Sequence, residues 1–147
     1  MSESASPVKF RPEEIPAELG GLRMTKQRKE VYCLLMDQRD HPTAQDVFIR
    51  AKERMPNISL ATVYNCLEAL VNHELVRQVN FDRAPSRYCP NLEEHVHFQD
   101  LETGAIHDVV FKKGININDF LELPEGVEVR ELELTLKGIM PSSTKKN

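Results

Sequence analysis

The sequence contains no C-x-x-C pair and no internal repeat. It also has no run of about 18 apolar residues of the kind that spans a bilayer. Its three cysteines, Cys33, Cys66 and Cys89, are odd in number and widely spaced, which argues against a disulfide framework. The opening residues, MSESASPVKFRPEE, have no apolar central block, so no secretory signal is read there. A soluble cytoplasmic protein with no membrane partner is the expectation. A strongly basic composition is missing too: the formal net charge is −4, which excludes a uniformly basic nucleic-acid coat.

What is present is divided along the chain. Residues 1–87 carry 13 Lys plus Arg against 12 Asp plus Glu, and residues 88–147 carry 6 against 11. A near-neutral first part and an acidic second part suggest two tasks, with nucleic acid expected on the first. The 147 residues suffice for one domain or two small ones.

The first ten residues read as loose. RPEEIPAEL, residues 11–19, predicts a short helix interrupted at Pro16 and ended by Gly20-Gly21. Thr25 can cap a helix with Val31, Leu34 and Leu35 at helical spacing, and Cys33 sits within it as a packing thiol. Thr43 and Asp46 have capping-box spacing ahead of a stripe of Val47, Phe48 and Ala51. Ser59 opens a third helix with Val63, Leu67, Leu70 and Val71 on one face and Cys66 near it. Leu75 to Phe81 and Ser86 to Tyr88 then predict a ribbon joined by a turn from Asp82 to Pro85. Three helices followed by a ribbon form the layout of a winged helix, and Arg77, Arg83 and Arg87 on the ribbon can lie along phosphates.

Beyond residue 90 the texture changes. Strands are expected near 95–101 and 105–111 around Glu102-Thr103-Gly104, with a short helix near 117–122. The segment VEVRELELTLKGI alternates as a strand should, but its apolar parity switches, so a bulge is placed near Arg130-Glu131. Residues 141–147 read as a solvated tail. The fold class is α+β.

The chemistry is concentrated in Cys89-Pro-Asn-Leu-Glu-Glu-His95-Val-His97-Phe and the following His107-Asp108. If Val96 and Phe98 pack inward, His95 and His97 share the opposite face. Cys89, His95 and His97 with Asp108 or His107 make a plausible tetrahedral zinc set, because thiolate and imidazole suit a borderline-soft ion. The bland alternative is a histidine-bearing solvent face beside an unrelated cysteine.

Four blocks in order, Leu22-Arg-Met-Thr-Lys-Gln-Arg28, His41-Pro-Thr-Ala44, Ser59-Leu-Ala-Thr-Val-Tyr64, and His95-Val-His97 with Gly104-x-x-x-Asp108, give the chain its likeness to a known group. From about Leu22 to Gly138 it resembles the ferric uptake regulator superfamily of bacterial metal-dependent repressors. The resemblance implies a winged-helix DNA-binding domain, residues 1–88, and an α/β dimerisation domain, residues 89–147, with the sensory metal between them. It places the hinge metal on His41, Cys89, His95, His97 and Asp108. Cysteine at 89, where iron and peroxide sensors usually carry Glu or Asp, favours zinc over iron or manganese. The fourth zinc ligand is Asp108 first, His41 second, then His107 or His73.

Three departures accompany the likeness. Asp100 and Thr103 stand where relatives carry two cysteines, and no cysteine pair follows Gly138, so a four-cysteine structural zinc is not expected. Leu132 replaces a histidine of many relatives. Asn65 replaces an Arg that often follows Tyr64.

The implied partners are a double-stranded DNA operator with inverted repeats and a second copy of the chain. Without the four-cysteine clamp, the dimer rests on Leu132, Leu134, Leu136 and Ile139. On the third helix Tyr64 and Thr62 are candidates for base contacts, Asn65 for adenine, and Ser59 joins them at the helix start. Lys26, Arg28 and Arg77 are assigned to phosphates. The competing readings are an iron or peroxide sensor, a thiol switch at Cys89, a purely structural metal, and a small zinc hydrolase in which an open metal position activates water.

Overall fold

A computed structural model describes residues 10–81, 83–93 and 95–141. The Ser-rich start, Asp82 in the expected turn and residues 142–147 of the expected tail lie outside the described residues. The chain divides into two units, Met1–Leu92 and Glu93–Asn147, and mixes helices with strands as an α+β fold.

In the first unit, a 3-10 turn at Pro12–Glu14 leads to a hairpin of β1, Glu18–Leu19, and β2, Leu22–Arg23. This corrects the helix expected over residues 11–19. Gly20 and Gly21 do not end a helix but form the two-residue hairpin loop, with φ of +57° and +81°, a backbone glycine adopts without strain. Gly20 is also constrained from outside, since a Cβ there would meet Leu75 Cδ2 at 2.9 Å.

Three capped helices follow. α1, Lys26–Asp37, starts where Thr25 accepts from the Arg28 N–H. α2, Ala44–Ala51, starts on a complete capping box, with Thr43 Oγ1 accepting from the Asp46 N–H and Asp46 Oδ2 from the Thr43 N–H, both at 3.1 Å. The shorter aspartate therefore reaches as the usual glutamate would. α3, Leu60–Asn72, starts on Ser59, which accepts from the Thr62 N–H. Val31, Leu35, Val47, Ala51, Val63, Leu67 and Leu70 are fully buried in one cluster, and the free thiols Cys33 and Cys66 are buried with them. Leu34, Phe48 and Val71 pack at its margin. Burial raises the thiol pKa at both cysteines, and at Cys33, with Asp37 and Glu30 nearby, to about 11.

The ribbon is shorter than its sequence suggests. β3 is Arg77–Val79 and β4 is Arg87–Cys89, antiparallel, with Arg77 opposite Cys89. β4 also joins the segment before α2: Thr43 bridges Arg87, and the Tyr88 N–H donates to the Pro42 carbonyl at 2.9 Å.

The second unit is a three-stranded sheet with β5, Val96–Asp100, at its centre. β6, Ile106–Val109, pairs with it antiparallel and β7, Thr135–Gly138, parallel. The expected helix near 117–122 is a 3-10 turn at Ile117–Phe120. The alternating segment from Val127 is strand only from Thr135, so no bulge at Arg130-Glu131 is needed. Alternation alone does not make a strand; it requires an edge to pair with, and β5 offers one to β7 over four residues.

Between β5 and β6, Asp100 is buried and closes the turn. Its carboxylate accepts from the Glu102 N–H at 2.9 Å and from Thr103 Oγ1 at 3.0 Å. On β7, Gly138 admits the Phe98 ring, which a Cβ would meet at 3.2 Å.

Candidate metal centre

Strand pairing in the second unit decides which side chains meet. His97 lies opposite Asp108, and Phe98 opposite His107. Directly opposed residues point to the same face, so Asp108 joins His97 while His107 goes to the other face, its ring 6.4 Å from that of Phe98. That removes His107 from the ligand set. His73 is elsewhere again, at the end of α3, with Nδ1 3.0 Å from the Ala69 carbonyl.

His95, His97 and Asp108 come together closely. The Nε2 atoms of the two histidines are 3.2 Å apart, and each is 3.4 Å from Asp108 Oδ1. Both histidines are buried, although only Val96 of the expected inward pair is buried on the opposite face and Phe98 is half-buried. His95 Nδ1 lies 2.6 Å from the Glu93 carbonyl, so that nitrogen carries the proton and donates. Its Nε2 then faces a carboxylate oxygen and a second imidazole. Three potential ligand atoms converging where two of the side chains are buried offer a place for a cation.

Their spacing fits a metal. Donors held about 2.0–2.1 Å from a tetrahedral zinc ion stand about 3.3–3.4 Å from one another. The triangle formed by the two Nε2 atoms and Oδ1 has nearly those edges. Fixing a ligating histidine through its other ring nitrogen is also the usual way such rings are oriented.

The first unit has its own pair of donors. His41 and Cys89 are both buried, and a His41 ring nitrogen and Cys89 Sγ lie within 4.8 Å of each other. His41 lies two residues before the Thr43 cap of α2 and Cys89 ends β4, and the contacts of β4 with Pro42 and Thr43 draw the two together. A thiol beside an imidazole is again a metal-competent pair.

The sequence pattern of the ferric uptake regulator family matches residues 20–137. The chain belongs to that family. Over 122 residues it is 33% identical to the ferric uptake regulation protein of Bacillus subtilis (strain 168), covering 80% of this chain and 82% of that protein. The solved Campylobacter jejuni peroxide stress regulator is 31% identical with a TM-score of 0.66, covering 78% of this chain and 86% of that one. A solved zinc-bound manganese uptake regulator is 26% identical with a TM-score of 0.64, covering 83% and 93%. Ferric uptake regulator family members are metal-dependent transcription regulators rather than enzymes, which leaves the hydrolase reading without support.

The residues expected to read DNA in this family member fall into different settings. Tyr64 and Asn65 are exposed on the outer face of α3, Tyr64 by 51%. Tyr64 lines a groove of about 540 Å³ with Glu68, Gln78, Ser86 and Tyr88. Lys26, Ser59 and Thr62 line a second cleft of about 340 Å³ together with Arg54. Ser59 and Thr62 are already engaged in capping, their hydroxyls 2.9 Å apart. Arg28 donates to the Arg23 carbonyl and Arg77 to the Leu92 carbonyl, each at 2.8 Å. Arg87, which the ribbon pattern allowed to lie along phosphates, donates to the His41 carbonyl at 3.0 Å. Sequence reasoning missed Glu68, Gln78 and Arg54 as lining residues, because a lone polar residue carries no spacing signal until the fold puts it on a wall. Among the described residues, no helix is long and apolar enough to cross a membrane.

Proposed function

We propose that the protein is a zinc-sensing transcriptional repressor that binds an inverted-repeat operator as a metal-loaded homodimer. Residues 1–88 act as a winged-helix DNA reader and residues 89–147 as the sensing and dimerisation part. The observation that carries this reading is the His95, His97 and Asp108 triangle, of the size that tetrahedral zinc requires, together with a thiol at position 89. Thiolate favours zinc over the harder ferrous or manganous ion.

In this reading His95, His97, Asp108, Cys89 and His41 are the donors to the ion. A bound divalent ion supplies the positive charge that these donors lack. The donors are satisfied together only in a restricted set of arrangements, so loading narrows the ways in which two recognition helices are presented to successive major grooves. Tyr64 and Asn65 then meet base edges, with Thr62 and Ser59 at the helix start. Lys26, Arg28 and Arg77 neutralise phosphates. Leu134, Leu136 and Ile139, exposed by 39%, 44% and 57%, form with Leu132 the apolar surface that a second copy covers.

A second reading, an iron or peroxide sensor, is favoured by the presence of both His41 and Asp108 and by the named roles of the Bacillus and Campylobacter relatives. Metal content after anaerobic purification, with X-ray absorption at the metal edge, separates the two. Stoichiometric zinc with one sulfur neighbour that Cys89→Ser removes is the expected result. Stoichiometric iron, with DNA release by peroxide, would overturn the zinc reading.

A further inference from the structure

His41 has a backbone that its own sequence disfavours. Its φ is +58°, in the left-handed region that residues with a Cβ enter uncommonly and histidine somewhat more often, and it precedes Pro42, whose ring further restricts the residue before it. Such a conformation persists only where the surroundings impose it. Here one strand supplies several of the contacts. Arg87 Nη1 donates to the His41 carbonyl at 3.0 Å, the Tyr88 N–H donates to the Pro42 carbonyl at 2.9 Å, and Thr43 bridges Arg87 in antiparallel register. The next residue of that strand is Cys89.

We propose that Arg87 is a positioning residue of the metal centre, holding His41 in its left-handed turn from the strand that carries Cys89, and not a phosphate contact. The inference rests on the reading that His41 and Cys89 bind metal. The chemistry suits arginine: its planar fork is always charged and gives a carbonyl a directed donor, which a lysine ammonium on a flexible stem replaces only in part. The ribbon register, with Arg77 opposite Cys89 and Val79 opposite Arg87, makes strand, carbonyl clamp and thiol one element. Loss of a hydrogen-bond partner behind a metal ligand typically lowers metal affinity by about 10–100-fold.

Cobalt(II) serves as the probe, because a cobalt-thiolate band reports Cys89 directly. The full-length wild type, Arg87→Ala, Arg87→Lys and Cys89→Ser are titrated against a competing chelator, with circular dichroism of each metal-free protein as the folding control. The salt dependence of DNA binding is measured at saturating zinc. The expected result is that Arg87→Ala keeps the thiolate band but binds cobalt about 10–100-fold more weakly, with Arg87→Lys between it and wild type. The salt slope should be unchanged in both. If Arg87→Ala does not fold, the comparison rests on Arg87→Lys. Wild-type cobalt affinity in the folded Arg87 variants, with a salt slope shallower by about 0.9 per site, would overturn the proposal and return Arg87 to the phosphates while leaving the metal centre intact. A wild type that shows no thiolate band would instead remove the metal reading, and the proposal with it.

Discussion

Residues up to Leu92 close an aliphatic core around Val31, Leu35, Val47, Val63, Leu67 and Leu70, all at 0% exposure, beneath three capped helices. From Glu93 onward the balance is reversed. The buried side chains described there include Val96 and Ile106, but also His95, His97 and Asp100, while Leu101, Val110, Phe120, Leu134, Leu136 and Ile139 stand exposed. The first unit is held by what it excludes from water. The second is organised by polar groups that need partners and leaves apolar surface to be covered, which is the pattern of a part that completes itself by binding.

That contrast can be tested by removing the same chemistry from each side. Leu67→Ala should destabilise the metal-free protein by about 2–5 kcal/mol, measured by urea unfolding. Leu136→Ala should cost the unfolding of the monomer less than about 1 kcal/mol and act instead on association, raising the dimer dissociation constant in sedimentation experiments. Equal losses for the two substitutions in dilute monomer would erase the distinction.

The polar organisation of the second unit predicts a smaller effect at its turn. Asp100→Ala leaves the Glu102 N–H and the Thr103 hydroxyl without their acceptor. It should cost about 1–3 kcal/mol, read as a lower urea midpoint. On the other side, Thr43→Ala breaks the capping box of α2 and should cost about 1 kcal/mol, seen as a lower melting temperature.

The response to alkaline pH belongs to the first unit. Burial, with help from Asp37 and Glu30, lifts the Cys33 thiol from its ordinary value of 9.0 to about 11. The folded state therefore keeps a proton that the unfolded chain has lost between those values. Stability falls as pH rises across that window and is unaffected by this group below it. Burial shifts Cys66, Tyr32 and Tyr88 in the same direction, so Cys33→Ala should flatten only part of the alkaline loss in urea titrations from pH 8 to pH 11.

Legibility in the sequence follows the range of the interaction. Caps at Thr25, Thr43 and Ser59 and the helical stripes behind them join residues within a few positions, and the pattern shows them directly. The pairing of His95 with His97 was equally local. The residues alone left Asp108 and His107 open and the family likeness put Asp108 first; strand register supplies the physical reason, because it fixes the face for each residue. The hairpin at Gly20-Gly21 was hidden because two glycines end helices as readily as they turn strands. The segment after Val127 misled because alternation records an exposed and a covered side without recording whether a partner strand exists. The Arg87 contact was hidden for the same kind of reason: its acceptor, the His41 carbonyl, is 46 residues away, and a charged side chain on a ribbon looks alike whether it turns outward or inward.

The most direct measurement is the affinity of the full-length protein for zinc with and without an operator duplex selected by the zinc-loaded protein from a random pool. If metal and DNA favour the same arrangement, each must strengthen the other by the same factor, typically about 5–150-fold, and Cys89→Ala should abolish the difference. Equal zinc affinity in the presence and absence of the duplex would contradict the account.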